Sequence, residues 1–108
     1  MITTFAPLTY NNAFGIPDDI LQEIIDTIKK YPDITAAKIF GSRAKGNYQR
    51  YSDIDIAIFA DTPDSLASTV WGDLDEIYMI YEVDVLHYEH TSNALIKEHI
   101  DRVGIRIL

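Results

Sequence analysis

Residues 52–58 read Ser-Asp-Ile-Asp-Ile-Ala-Ile and constrain the fold of this chain more than any other segment. Neighbouring side chains of a β-strand point to opposite faces of the sheet, so Asp53 and Asp55 share one face. The other face then carries Ile54, Ile56 and Ile58. Because unpaired carboxylates are costly to bury, we expect the isoleucines to face a core and the aspartates to face solvent or bound cations.

A Gly-Ser pair precedes this strand, and a further strand aspartate follows it. Ten residues separate the pair Gly41-Ser42 from Asp53, and Asp84 lies in the apolar run Val-Asp-Val-Leu. Glycine lets the backbone approach phosphate oxygens closely, and carboxylates hold divalent cations. The layout therefore predicts a site for a metal-bound triphosphate, with Asp84 contributing from a neighbouring strand.

The apolar spacing and the turn residues predict one α+β domain. Pro17 starts a helix that Pro32 stops, a second helix runs from 62–64 to Tyr78, and a third, capped by Thr91 or Ser92, ends at Gly104. The predicted strands are 35–40, 53–59, 82–87 and 105–108. We expect an α/β sandwich, in which a small mixed sheet carries helices on one face and the three aspartates on the other. We assign residues 1–16 to an N-terminal arm and 17–108 to the domain.

The charges are divided unevenly along a chain whose formal net charge is −8. Residues 38–50 hold four basic and no acidic side chains, whereas residues 51–96 hold ten acidic side chains and no Lys or Arg. A protein that binds a long nucleic acid usually presents a broad basic surface. The pattern favours a small phosphorylated ligand, and the simple alternative is a solvated charged loop.

Composition indicates where such a chain works. No apolar run approaches the ~20 residues that span a bilayer, so we expect no membrane segment. Residues 1–15 lack the basic start and apolar block of a secretory signal. Cysteine is absent, which fits a cytoplasmic protein.

Other motifs are less specific. Gly41-x4-Gly46 imitates the start of a P-loop, but Asn47 and Tyr48 replace its Lys and Ser/Thr, so we reject that site. Metal binding by the histidines is less favoured than a place in the core or on the surface; they are His87, His90 and His99. Among the tyrosines, Tyr48 and Tyr51 are the candidates for ligand contact, whereas Tyr78 and Tyr81 fit packing positions.

The complete layout resembles the nucleotidyltransferases of the DNA polymerase β superfamily over residues 17–108. It looks like the minimal branch, whose members are short prokaryotic proteins commonly encoded beside a HEPN-domain partner. The two motifs that carry the resemblance are Gly41-Ser42-Arg43-Ala44-x-Gly46 and Ser52-Asp53-Ile54-Asp55-Ile56-Ala57-Ile58, with Asp84 on a later strand.

The resemblance implies transfer of AMP from ATP to a hydroxyl group with two Mg²⁺ ions, or Mn²⁺ in their place. Asp53 and Asp55 would bridge the metals, and Asp84 would hold the catalytic metal near the acceptor hydroxyl. The implied nucleotide contacts are Gly41, Ser42, Arg43, Lys45 and Ser52.

The resemblance also implies a partner. In the minimal branch this is a HEPN ribonuclease toxin, and adenylylation of its tyrosine makes the nucleotidyltransferase a type VII-like antitoxin in a hetero-oligomer. Two alternatives stay open: a non-catalytic binding module that neutralises a helical partner by covering it, and a nucleotidyltransferase subunit that modifies a small molecule such as an aminoglycoside. The acceptor, the base specificity and the oligomeric state are not fixed by the sequence.

Overall fold

Four β-strands alternate with four α-helices along residues 12–108, the part of the chain that the computed structural model describes. A short 3-10 helix, Tyr88–His90, follows the third strand. The elements are α1 Asp18–Lys29, β1 Ile34–Phe40, α2 Ser42–Lys45, β2 Ile54–Ala60, α3 Ala67–Asp75, β3 Val83–His87, α4 Ala94–Val103 and β4 Ile105–Arg106.

The strands form one mixed sheet in the order β3-β2-β1-β4. Strands β2 and β3 are parallel, and β1 is antiparallel to both β2 and β4. This arrangement confirms the predicted α+β class and its mixed sheet. Asp55 on the central strand β2 pairs with Phe40 on β1 and with Asp84 on β3.

The main core lies between the sheet and the two helices α1 and α3. The isoleucines of β2 are fully buried there, as the alternation in the sequence predicts. Burying each such side chain stabilises the fold by about 1.5–3 kcal/mol. The other fully buried members of this core include Ile24, Ile28, Ile39, Val70 and Leu74.

Helix α4 does not share that face. The ring of His99 meets Phe40 edge-on at 6.1 Å, and the hydroxyl of Tyr88 donates to Asp101. Phe40 pairs with Asp55, so it lies on the face of the carboxylates. The predicted placement of the helices on one face therefore holds for α1 and α3, whereas α4 covers part of the other.

Several boundaries in the structure differ from those predicted for the arm and the helices. Phe14 and Ile16 are buried in the core, so packing begins before Pro17; residues 1–11 of the predicted arm lie outside the described residues. The helix predicted to reach Tyr78 ends at Asp75, and Tyr78 is 97% exposed, so its predicted packing role is wrong.

None of the helices in residues 12–108 has the length and apolarity that crossing a membrane requires.

The last helix also begins at a different cap. Asn93, not Thr91 or Ser92, caps α4, because its side chain accepts hydrogen bonds from two backbone N–H groups of the first turn.

Candidate active site

The three predicted carboxylates meet at one end of the sheet. The parallel pairing of β2 and β3 sets Asp55 beside Asp84, and paired residues of neighbouring strands present their side chains to the same face. Asp53 directly precedes β2 and is exposed, as is Asp84. The structure thus brings together three acids that lie up to 31 residues apart in the chain.

The environment of Asp55 is unfavourable for a negative charge. Partial burial, then repulsion from Asp84 and from Asp53, raises the pKa of Asp55 from 3.8 to about 6. Within residues 12–108 the ion pair is Arg102 with Glu98, and the neutral ring of His87 lies 3.5 Å from Glu89; neither contact involves this cluster. The carboxylates therefore lack a cationic side chain that offsets their repulsion.

This donor set fits a hard divalent cation. In the described residues, no three metal-ligating side chains already converge on a single point. Mg²⁺ commonly takes only one or two protein carboxylates and completes its shell with substrate phosphates and water. Adjacent, uncompensated carboxylates suit that mode of binding better than they suit a closed protein cage.

Gly41 is fixed against the carboxylate cluster. Its φ of 71° lies in the left-handed region, which side chains other than glycine rarely adopt. A Cβ at this position would collide with the side-chain oxygen of Asp55. Ser42, half-buried, then begins α2. The turn that the sequence predicts for phosphate contact thus lies directly beside the predicted metal ligand.

Arg43 has a different role from the one predicted. Its side chain is 1% exposed, and its guanidinium donates to four backbone carbonyls. The donor–acceptor distances are 3.1 Å to Ser52 and 3.1 Å to Arg50, and 2.8 Å to Phe14 and 3.4 Å to Gly15. With its donors committed to the backbone, Arg43 is not available to bind phosphate. It ties α2 to the two flanking segments instead.

Two aromatic rings complete the surroundings of this guanidinium. Arg43 lies 5.0 Å from the ring centre of Tyr48 and 4.7 Å from that of Tyr81. Tyr48 is half-buried and packs against Arg43, so the structure gives it a structural contact and does not support the prediction that it contacts a ligand. Tyr51 is 63% exposed, with the guanidinium of Arg50 over its ring, and keeps an accessible face.

The other two predicted nucleotide contacts differ in their surroundings. The hydroxyl of Ser52 accepts a hydrogen bond from the backbone N–H of Gln49 at 2.7 Å, so it holds the loop before Asp53 in shape. Lys45 is exposed at the end of α2. Of the two basic side chains of α2, Lys45 is thus the one that is exposed to solvent.

The histidines have structural surroundings, as the sequence favours. His87 is buried, and its Nδ1 accepts from the backbone N–H of Leu66 at 3.0 Å. Its Nε2 then carries the hydrogen and donates to the carbonyl of Ala60 at 2.8 Å. His90 contacts the carbonyl of Thr62. These contacts hold the loop after β2 against β3, away from the carboxylates.

Comparison with known proteins agrees with this geometry. The family described as "Polymerase beta, Nucleotidyltransferase" matches residues 22–108. A relative from Haemophilus influenzae, described as a probable protein adenylyltransferase MntA, is 35% identical over 109 residues. That match covers 98% of this chain and 89% of the relative.

Solved structures share the fold. A chain of a toxin–antitoxin complex crystallised with AMP-PNP superimposes with a TM-score of 0.63 at 26% identity, covering 82% of this chain and 72% of that one. A chain of a complex between a tri-AMPylated Shewanella oneidensis HEPN toxin and its MNT antitoxin gives a TM-score of 0.58 at 22% identity, covering 84% and 71%. The chain thus belongs to the polymerase beta nucleotidyltransferase family.

Proposed function

We propose that this chain transfers AMP from ATP to a hydroxyl group of a protein. The observation that carries the proposal is the contact of the Gly41 turn with Asp55, next to Asp84 on the adjoining strand. In this arrangement a glycine backbone that a phosphate group could approach closely lies beside carboxylates that lack cationic partners. The Haemophilus influenzae relative, described as a probable protein adenylyltransferase, supports the same activity.

In the proposed reaction the acceptor oxygen forms a bond to the α-phosphorus of ATP, and the bond from that phosphorus to the bridging oxygen of the β-phosphate breaks. Pyrophosphate leaves with that electron pair, and the hydroxyl proton passes to Asp84. Asp53 and Asp55 would hold two Mg²⁺ ions, with Asp84 as a further ligand on the acceptor side, and these ions would neutralise charge on the triphosphate. The turn at Gly41 and Ser42 contacts the β- and γ-phosphates, with Lys45 as a further contact.

The proposed acceptor is a tyrosine of a HEPN-domain protein, and the chain acts as the antitoxin in a hetero-oligomer with it. The support is the fold shared with a chain of the complex between the tri-AMPylated Shewanella oneidensis HEPN toxin and an MNT antitoxin, and with a chain of the toxin–antitoxin complex that holds AMP-PNP. Residues 51–96 contribute ten acidic side chains and no Lys or Arg, which suits a basic partner. A cysteine-free chain also fits the cytoplasm, where we place both proteins.

The test is co-expression with the proposed HEPN-domain partner, followed by intact mass spectrometry of both proteins. The expected result is a gain of one or more AMP masses on the partner with the wild-type chain. The gain should be lost with Asp53→Asn and kept with Asp61→Asn, an exposed acid that follows the opposite end of β2. Full neutralisation of the partner by Asp53→Asn, without a mass change, would establish the binding-module alternative.

A further inference from the structure

A shallow groove lies between α3 and the edge strand β3. Its volume is about 470 Å³, and its lining is Ala67, Ser68, Trp71, Gly72, Asp84 and Val85. Strand β3 is the outer strand of the sheet, so α3 supplies the second wall. Because Asp84 lines the groove and also pairs with Asp55, the groove adjoins the carboxylate cluster at the edge of the sheet.

Trp71 gives the groove a fixed apolar wall. Its indole N–H donates to the backbone carbonyl of Val83 at 2.9 Å, although the side chain remains 46% exposed. That hydrogen bond holds the ring in place and leaves its face open to solvent. A pre-oriented aromatic side chain loses little conformational entropy on binding and is a frequent anchor of protein interfaces.

Exposed acidic side chains flank the groove. Asp84 lies within it, and Asp75 and Glu76 lie one helical turn beyond Trp71 and Gly72 on the same side of α3. All three acids are exposed, and the chain has no Lys or Arg between residues 51 and 96. Such a surface attracts basic polypeptide and repels the phosphates of nucleic acids.

We infer that this groove binds the basic segment of the acceptor protein that flanks the modified hydroxyl. The inference rests on the proposed function, because it places the acceptor oxygen at Asp84. Trp71 packs against an aliphatic or aromatic side chain of that segment, and the acidic rim pairs with its Lys or Arg residues. The groove thereby selects which hydroxyl of the partner reaches the carboxylates.

Gly72 offers a specific test of the groove. A Cβ built at Gly72 meets nothing within 4 Å, so Gly72→Leu places its side chain in open space without disturbing the core. We expect at least a tenfold loss in kcat/KM for the HEPN protein as acceptor and a tenfold weaker affinity for it, with unchanged ATP affinity. Thr69→Leu, an exposed position of α3 outside the groove, is the matched control and should behave as wild type.

A charge reversal tests the acidic rim. Glu76→Lys should slow association with the partner several-fold at low salt, and the difference from wild type should shrink as salt is added. Glu23→Lys, which makes the same charge change at an exposed position of α1, is the control and should have a smaller effect. Equal effects of the two reversals would attribute the loss to net charge and overturn the role of the rim.

The outcomes separate this inference from the proposed function. If the wild-type chain binds the partner without transferring AMP, the proposed activity fails, and the affinity of Gly72→Leu still decides the groove. If transfer occurs and Gly72→Leu matches Thr69→Leu in rate and affinity, the groove inference is overturned. Tandem mass spectrometry of the modified peptide adds a third criterion. A net acidic sequence around the modified residue would also overturn the groove inference.

Discussion

The backbone of Gly41 lies directly against the carboxylate of Asp55, with no space between them for a side chain. Gly41 is the single residue between β1 and α2, whereas Asp55 belongs to the central strand β2. The contact joins the turn that we assign to phosphate binding with an acid that we assign to metal binding. A change at either residue is therefore expected to displace the other.

Gly41→Ala should abolish transfer. The added methyl group collides with Asp55 and also forces alanine into a left-handed conformation, and a displacement of about 1 Å in an active site costs about 100-fold in rate. Gly46→Ala is the matched control, because Gly46 has a φ of 88° and open space around it. It should bear only the backbone strain, about 1–2 kcal/mol, and retain activity once folded. Thermal melts and a transfer assay on both variants test this, and equal loss of activity would contradict it.

The raised pKa of Asp55 predicts a pH-dependent gain in stability for Asp55→Asn. The folded state holds this proton more tightly than the unfolded state does, so ionisation destabilises the fold progressively from pH 3.8 to about 6. Asparagine removes that cost, and Asp55 is only half-buried, so solvent screening limits the expected gain at pH 7 to about 1 kcal/mol. Urea unfolding in EDTA at pH 4 and pH 7 measures it. A gain that is the same at both pH values would contradict this cause.

ATP binding should depend on Mg²⁺ and on Asp53. Repulsion between the triphosphate and three carboxylates opposes binding unless a divalent cation lies between them. Isothermal titration should show at least a tenfold weaker affinity in EDTA, and a similar loss for Asp53→Asn in the presence of Mg²⁺. The control Asp61→Asn should bind as wild type. Equal affinity with and without Mg²⁺ would argue against a metal-bridged triphosphate.

Asp84→Asn should separate binding from transfer. We place Asp84 at the acceptor side, where it takes the hydroxyl proton, so its loss affects the rate more than ATP affinity. General base catalysis contributes about 100- to 10,000-fold, and kcat should fall within that range. ATP titration should change less than threefold. A large loss of ATP affinity with normal kcat would move Asp84 to the triphosphate side.

Arg43→Lys should destabilise the fold although it keeps the charge. Lysine cannot donate to four carbonyls in the forked geometry of a guanidinium, and the orphaned buried acceptors cost about 2–4 kcal/mol in total. Urea unfolding of this variant and of Arg50→Lys, which changes an exposed arginine, makes the comparison. The control should differ from wild type by less than about 0.5 kcal/mol. A stable Arg43→Lys variant with weakened ATP affinity would restore the phosphate-binding role.

The sequence predicted the strand β2 and the grouping of the acids because both follow from local rules. Alternation along residues 54–60 fixes which side chains share a face, and it needs no knowledge of the rest of the chain. The strand that carries Asp84 was predicted from its apolar run, whereas its parallel pairing with β2, which sets Asp84 beside Asp55, was not. The groove beside Trp71 was not predicted, because it forms only where α3 meets the edge of β3.

Local sequence cannot assign the partners of a buried charge or the face that a terminal helix selects. The local sequence predicts an exposed arginine in a loop at position 43. Arg43 is instead buried, because backbone carbonyls 7 to 29 residues away converge on its guanidinium. The amphipathic pattern of helix α4 would suit either face of the sheet. The pairing of β1 with β2 and β4 sets the face on which Phe40 lies, and α4 packs over Phe40 on that face. The sequence by itself determined the chemistry of the carboxylates and their shared face. The tertiary structure decided which neighbouring groups hold the site together, since desolvating a charge is tolerated only where distant segments supply its hydrogen bonds.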